Sequence, residues 1–390
     1  MIRVLFAAAL LAATAASGSP VYIALDAEFG QKSATSPHAI QQGMEIAIEE
    51  INAAGGVLGG RKLELVKTDN RGVAAIGVDN LRDLAKRSDL VAVFGGKFSP
   101  VYMECLPVAH ELGILLMNPW GSADGITDHK YKPSYSFRLS LKDEWAAPAF
   151  VRFARERHKA SRVGVMLPNT AWGRSNDAAL AKAAAAAGVS VVGTRWYNWG
   201  DKSLALPYGE LRAAGAQAII LVANEIEGSI LVKEVAALPE AQRLPIISHW
   251  GVTGGEFANM AGNALQAVDF AVIQTFSFVG NASPAAQRVL AAMKRRYGVE
   301  GAEQVKAPVG VAHAYDLTHV LARAINKAGT TDRRKVRDAL EALGPYDGLV
   351  RRYAPPFTPT RHDALTSDNI LFARYTANDR LVPLGPAGKP

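Results

Sequence analysis

Apolar positions along this 390-residue chain follow two alternating spacings. Residues 21–26, 62–68, 90–94 and 114–117 carry apolar side chains consecutively or at every second position, which predicts strands. Between them, residues 37–53, 73–86 and 101–112 repeat apolar side chains three or four apart. In the first of these, Ile40, Met44, Ala47, Ile48 and Ile51 share one face, which predicts an amphipathic helix. Gly55, Gly56, Gly59 and Gly60 follow it and make the turn, because glycine tolerates the positive φ such a turn needs.

The order restarts near residue 141. Helices are predicted at 144–158, 175–187, 204–214, 226–238 and 255–261, with strands at 163–167, 189–195, 218–222, 245–248 and 268–275. Strands separated by helices of about ten to fifteen residues predict parallel sheets covered on both faces, with right-handed crossovers. Two such series predict an α/β chain of two doubly wound parallel-sheet lobes. The pattern then turns helical at 284–297, 308–327 and 331–343, which completes the first lobe. A Pro-rich tail, 349–384, recrosses and packs against the second. The division expected is 19–140 plus 276–350 for one lobe and 141–275 plus 351–390 for the other. Three hinge connections are expected, at 139–143, 272–278 and 349–356.

The N-terminus changes the picture. Arg3 precedes an apolar run over residues 4–16, and small residues Ala13, Ala15, Ala16 and Gly18 close it. That run has the length of a secretory leader core and is too short to span a bilayer. Residues 1–18 therefore read as a cleaved signal peptide. No cysteine stands there to carry a lipid, so the expected location is the periplasm, free of an anchor. Cys105 is the single cysteine, which excludes an intrachain disulfide. Its helical setting makes it a small core residue rather than a nucleophile. The net charge of +7 comes from scattered pairs such as Arg61-Lys62 and Arg295-Arg296 without an aromatic stripe, which argues against nucleic acid as a partner.

Candidate chemistry concentrates at strand ends. In α/β proteins, ligands bind beyond the carboxyl ends of strands. Two hydroxyl-bearing loops occupy such ends, one with Ser99 after strand 90–94 and one with Ser122 after strand 114–117. In the second series, strand 218–222 ends at Asn224 and Glu225, and strand 245–248 ends at Trp250.

The segments INAAGGVLGGRKLEL (51–65), GILLMNPWGSADGIT (113–127) and AWGRSNDAAL (171–180) carry a resemblance. Over about residues 21–384 the chain resembles the periplasmic solute-binding proteins of branched-chain amino acid ABC transporters, with the type I binding-protein fold. The resemblance implies that Ser99, with Trp120, Gly121 and Ser122, binds a ligand carboxylate. Hydroxyls, backbone N–H groups and a helix N-terminus suit that task without a formal charge. Ser99 also suits a helix N-cap, and Ser122 a plain turn. The resemblance places Trp172, read as a loop residue, over the ligand; the alternative is a buried core indole. Asn224, Glu225 and Trp250 complete the candidate set. The family often carries, at the position of Trp250, an acid that pairs with the α-ammonium. Glu225 is the candidate replacement, and a solvated acid at a helix N-terminus is the other reading. The frequent disulfide of the family's first lobe is also absent.

Other motifs fall away. GGVLGGRK (55–62) lacks the Gly-Lys-Ser/Thr of a phosphate loop and precedes a strand, whereas such a loop must precede a helix. His110, His313 and His319 have no partner at metal-ligand spacing. No G-x-S-x-G elbow occurs. Asp316 and Tyr315 stand mid-helix, where either a cleft-facing or a structural role is open. The expectation is a monomeric binding protein without enzyme activity, cofactor or metal. It would deliver a small carboxylate-bearing ligand, an amino acid or an aromatic acid, to ABC permease subunits. A sensor feeding a signalling receptor, or less readily an amidase or hydrolase on the same scaffold, are the alternatives.

Overall fold

The computed structural model describes residues 18–385; apart from Gly18, the expected leader lies outside them. Strands β1 (Val21–Ala27), β2 (Leu63–Asp69), β3 (Leu90–Gly95), β4 (Leu115–Asn118) and β5 (Ser136–Arg138) form one sheet in the order β2-β1-β3-β4-β5. Every pairing in it is parallel. Helices α1 (Ser36–Ala53), α2 (Ala74–Ala85) and α3 (Ser99–Glu111) connect the first four strands. β5 was not anticipated. Its three residues are too few to show a period, and only pairing with β4 defines it.

A second sheet starts after α4 (Asp143–His158). It contains β6 (Arg162–Pro168), β7 (Ser190–Tyr197), β8 (Ala218–Leu221), β9 (Ile246–Ser248) and β10 (Phe270–Gln274), again parallel. Helices α5 (Ala171–Ala187), α6 (Ala205–Ala213), α7 (Glu225–Ala236) and α8 (Phe257–Ala261) lie between them. The expected helix over 255–261 is thus shorter, and a 3₁₀ segment, Trp250–Gly254, precedes it. Helix α5 begins earlier than expected. Thr170 Oγ1 accepts from Gly173 N and starts the helix, so Trp172 stands in its first turn and not on a loop.

Helices α9 (Pro284–Tyr297), α10 (Pro308–Ala328) and α11 (Arg333–Glu341) return to the first sheet, with α9 and α10 against α1 and α11 against β3. A hairpin, β11 (Tyr346–Asp347) with β12 (Arg352–Tyr353), leads into the tail. There β13 (Leu371–Tyr375) joins β10 antiparallel, and β14 (Leu381–Pro383) pairs antiparallel with β13 at the edge. The second sheet is therefore mixed.

Both sheets are buried on their two faces, as parallel sheets must be. Ile23, Leu25, Phe94 and Met117 fill one lobe and Val165, Leu167, Ile220 and Ile247 the other. Each such side chain contributes about 1.5–3 kcal/mol on leaving water. Cys105 is among the buried residues, and burial pushes its thiol up to about 12. That is the inert structural cysteine expected.

The chain passes between the sheets three times, over 139–142, 275–283 and 354–370. The third passage is tied down on its way. Asp316, mid-helix in α10, accepts from Leu349 N (2.6 Å), Val350 N (2.8 Å) and the Tyr353 hydroxyl (2.7 Å). It faces this passage and not the cleft. Arg138 then forms a parallel bridge with Asp363 at the edge of the first sheet.

Candidate functional site

The first-lobe wall of the interlobe cleft begins where β3 ends. Ser99 is the first residue of α3, and the capping position belongs to Phe98. Its hydroxyl makes no cap bond. Instead Ser99 Oγ accepts from Ser122 N (3.2 Å) and Ala123 N (3.3 Å). After β4, Asn118 builds the neighbouring loop: its Oδ1 accepts from Trp120 N (2.9 Å) and its Nδ2 donates to Gly121 O (2.6 Å). Gly121 lies behind the wall, where an added Cβ would stand 2.9 Å from the Tyr102 ring. Arg138 holds the loop from the far side through Ser122 O (3.2 Å) and Ala123 O (2.9 Å). The N–H groups of residues 122 and 123 thus point to Ser99 and their carbonyls to Arg138.

The second-lobe wall is made by α5 and by the ends of β8 and β9. The indoles of Trp172, Trp250 and Trp120 are all buried. Trp120 and Trp250 stand 5.7 Å apart between ring centroids, across the lobes. Trp172 meets the edge of His249 at 4.9 Å, and its buried Nε1–H has no partner among the described residues. A fourth indole, Trp199, crosses to Phe98 of the first lobe at 5.2 Å. Gly251 leaves room for the Trp172 ring, which an added Cβ would strike.

Between the walls, Ser99, Ser122, Trp120, Trp172, Asn224 and Trp250 bound a narrow space of about 10 Å³, the size of a single water site. An organic ligand therefore enters only when the walls move apart. Six of the eight predicted residues meet there. Gly121 lies behind the wall. Glu225 is turned elsewhere: its Oε2 is 2.7 Å from Lys97 Nζ, and the two side chains are only 2% and 1% exposed. Glu225 Oε1 accepts from Ser33 Oγ at 3.0 Å. The reading of Glu225 as a solvated acid is therefore wrong, because α7 begins inside the interlobe contact and not at the surface. Nor is it free to receive a ligand amine. Lys97, whose stem borders the same space, was missed. The sequence separation of 128 residues between the partners leaves no local pattern to find.

The lobes are in contact around this space. Thr35 N donates to Gly254 O (2.8 Å), Glu256 N to Ser33 O (2.9 Å) and Asp124 N to Ser175 Oγ (3.0 Å). The arrangement is a closed one.

His249 Nε2 lies 3.2 Å from Asp143 Oδ1 and 3.5 Å from Ser122 Oγ. A Ser-His-Asp relay needs the hydroxyl and the acid on opposite ring nitrogens; here both face the same one. The group is a buried polar brace. His313 has both ring nitrogens satisfied, by Pro119 O (3.0 Å) and Thr275 Oγ1 (2.9 Å), and burial pushes its pKa down to about 4. Among the described residues no cluster of His, Cys, Asp and Glu is arranged to hold a metal, and no helix is long and apolar enough to cross a membrane. A separate hollow of about 20 Å³ lies within the first lobe, beside Asp26, Tyr102 and Cys105, and does not reach the second.

Residues 22–379 match the family model described as periplasmic binding protein. A relative from Pseudomonas aeruginosa, named leucine-, isoleucine-, valine-, threonine- and alanine-binding protein, is 26% identical over 304 residues, 77% of this chain and 76% of its own. A periplasmic binding protein type 1 from Bordetella pertussis superposes with a TM-score of 0.82 at 21% identity, over 94% of this chain and 99% of its own. A solute-binding protein of an ABC transporter from R. palustris, solved with benzoate, superposes with a TM-score of 0.74 at 16% identity, over 94% and 96%. The chain belongs to the periplasmic binding protein family, of the branched-chain amino acid type.

Proposed function

We propose that this periplasmic binding protein captures a small carboxylate-bearing solute between its lobes and presents it, in the periplasm, to the permease subunits of an ABC importer. The observation that carries the reading is the unpaired, buried indole N–H of Trp172, with that of Trp199, on residues that line the small interlobe space. A buried donor left without an acceptor costs about 1–3 kcal/mol, and a ligand oxygen removes that cost. The Ser99 hydroxyl accepts two amides and keeps its own proton to donate. The Asn224 amide stands beside them. These are neutral donors in a place from which closure excludes water, where hydrogen bonds to a carboxylate are strong. The indoles supply a broad apolar surface, which suits an aromatic or branched acid body. The benzoate held by the R. palustris protein is an acid of that kind.

In this reading, residues 139–142, 275–283 and 354–370 act as the hinge, and ligand draws the lobes together. Small-angle scattering tests it. Saturating phenylacetate, 3-phenylpropanoate or 4-methylpentanoate is expected to shrink the radius of gyration of the purified protein. An unchanged radius with all three would count against the reading.

A further inference from the structure

This inference rests on the cleft being a carboxylate site and narrows what the site takes. We propose that Lys97 is a specificity-determining residue: its ammonium fills the place of a ligand amine on Glu225, so the cleft accepts carboxylic acids lacking an α-amino group and rejects amino acids.

Charge placement leads there. The one charged residue lining the cleft among the described residues is Lys97, and the acid it meets, Glu225, lies behind it at 2.7 Å with both side chains buried. Lys97 Nζ also approaches Gly254 O at 3.4 Å. The other acids nearby are committed. Glu28 accepts from Ser36 Oγ (2.5 Å) and Lys97 N (3.2 Å). Asp143 faces His249, and Glu227 accepts from Gly200 N (3.0 Å). At the end of β9, where an acid could reach the ligand, Trp250 stands instead. A zwitterion entering this space would bury an ammonium with no acid to receive it, and an unpaired buried ion is heavily penalised. A carboxylate meets Trp172 Nε1, Ser99 and Asn224 and needs no counter-ion.

Local packing supports the pair as a built feature. An added Cβ at Gly255 would strike the Glu225 side chain, and one at Gly254 would stand 2.9 Å from Lys97 Cδ. Neither glycine has a positive φ to require it. The two glycines leave room for Lys97 and Glu225 together with Trp120 and the Ser33 carbonyl.

The test is a calorimetric titration with two matched pairs, 3-phenylpropanoate against L-phenylalanine and 4-methylpentanoate against L-leucine. The wild-type protein is expected to bind at least one acid tenfold or more tightly than its amino-acid counterpart. Lys97→Met frees Glu225 and should shrink that ratio at least tenfold by admitting the amine, whereas Lys97→Arg keeps the pair and should keep the preference. Glu225→Gln leaves amino acids rejected and gives a second readout should Lys97→Met fold poorly. Equal or tighter binding of the amino acids by wild type would overturn the proposal while leaving the carboxylate site intact. So would a ratio unmoved in Lys97→Met. Binding of none of the four by wild type would overturn both.

Discussion

Two of the buried ion pairs among the described residues differ in what they join. Arg138 and Asp363 meet at 2.6 Å beside the interlobe passages. Arg138 is there completed by Ser122 O, Ala123 O and the Thr127 hydroxyl. Lys97 and Glu225 meet at 2.7 Å across the cleft and depend on the lobes being together. The first is framework, present wherever the third passage docks on the first sheet. In the proposed hinge cycle the second forms only on closure, so there its energy enters ligand binding and not folding. A buried pair adds little net stability by itself, but breaking one leaves a charge stranded. Where that stranded charge ends up in the open form separates the two.

Arg138→Met should therefore carry the largest effect. It strands Asp363 and two loop carbonyls, and a loss of about 3–5 kcal/mol in unfolding free energy is expected by urea denaturation. Lys97→Met should move that quantity far less, since in an open form Glu225 returns to water. Equal losses would erase the distinction. The first pair should also show a pH signature. Burial pushes the Asp363 carboxyl up, but the nearby Arg138 charge prevails and leaves it below its ordinary 3.8. A depressed acid contributes stability above its unfolded pKa and loses it as pH falls through the folded value. The penalty of Asp363→Asn should hold steady from pH 5 to 8 and fade below about 4.

Smaller effects sharpen the cleft side. Trp172→Ala should weaken binding of the tightest acid by about 2 kcal/mol, the scale of a buried aromatic anchor, with Trp172→Phe removing only the donor and costing less. Gly255→Ala displaces Glu225 without changing any charge. A loss of about 1 kcal/mol in acid affinity is expected, with thermal stability nearly unchanged. One effect lies away from both pairs and reads only on stability. Burial raises Asp26 to about 6, against hydrogen bonds from Asn70, Thr68 and Asn80 that lower it. A raised acid binds its proton more tightly when folded, so between pH 4 and 6 stability falls as pH rises. Asp26→Asn should remove a slope of at most about 1.4 kcal/mol per pH unit.

The alternation of elements was legible because periodicity is local: every long helix and strand announces itself within one or two turns of spacing. β5 was hidden because three residues cannot carry a period. Six cleft residues were reachable because strand ends in α/β lobes converge. The committed state of Glu225 was not, nor were the roles of Lys97 and Arg138. Their partners lie 128 and 225 residues away, and no local rule encodes them. WGVTGG (250–255) reads as a turn. That Gly251, Gly254 and Gly255 are small to admit Trp172, Lys97 and Glu225 is visible only once the walls are assembled. Trp172, read as a loop residue because Gly173 follows it, stands in a helix because Thr170 caps the chain from Ala171 onward.

A crystal structure with the tightest-binding of phenylacetate, 3-phenylpropanoate and 4-methylpentanoate tests the central claim most directly. The account predicts the carboxylate against Trp172 Nε1 and the Ser99 hydroxyl, within about 3.2 Å, its apolar body among the indoles, and Lys97 still on Glu225. A carboxylate seated on Lys97 with Glu225 displaced, or an acid bound outside the lobes, would contradict it.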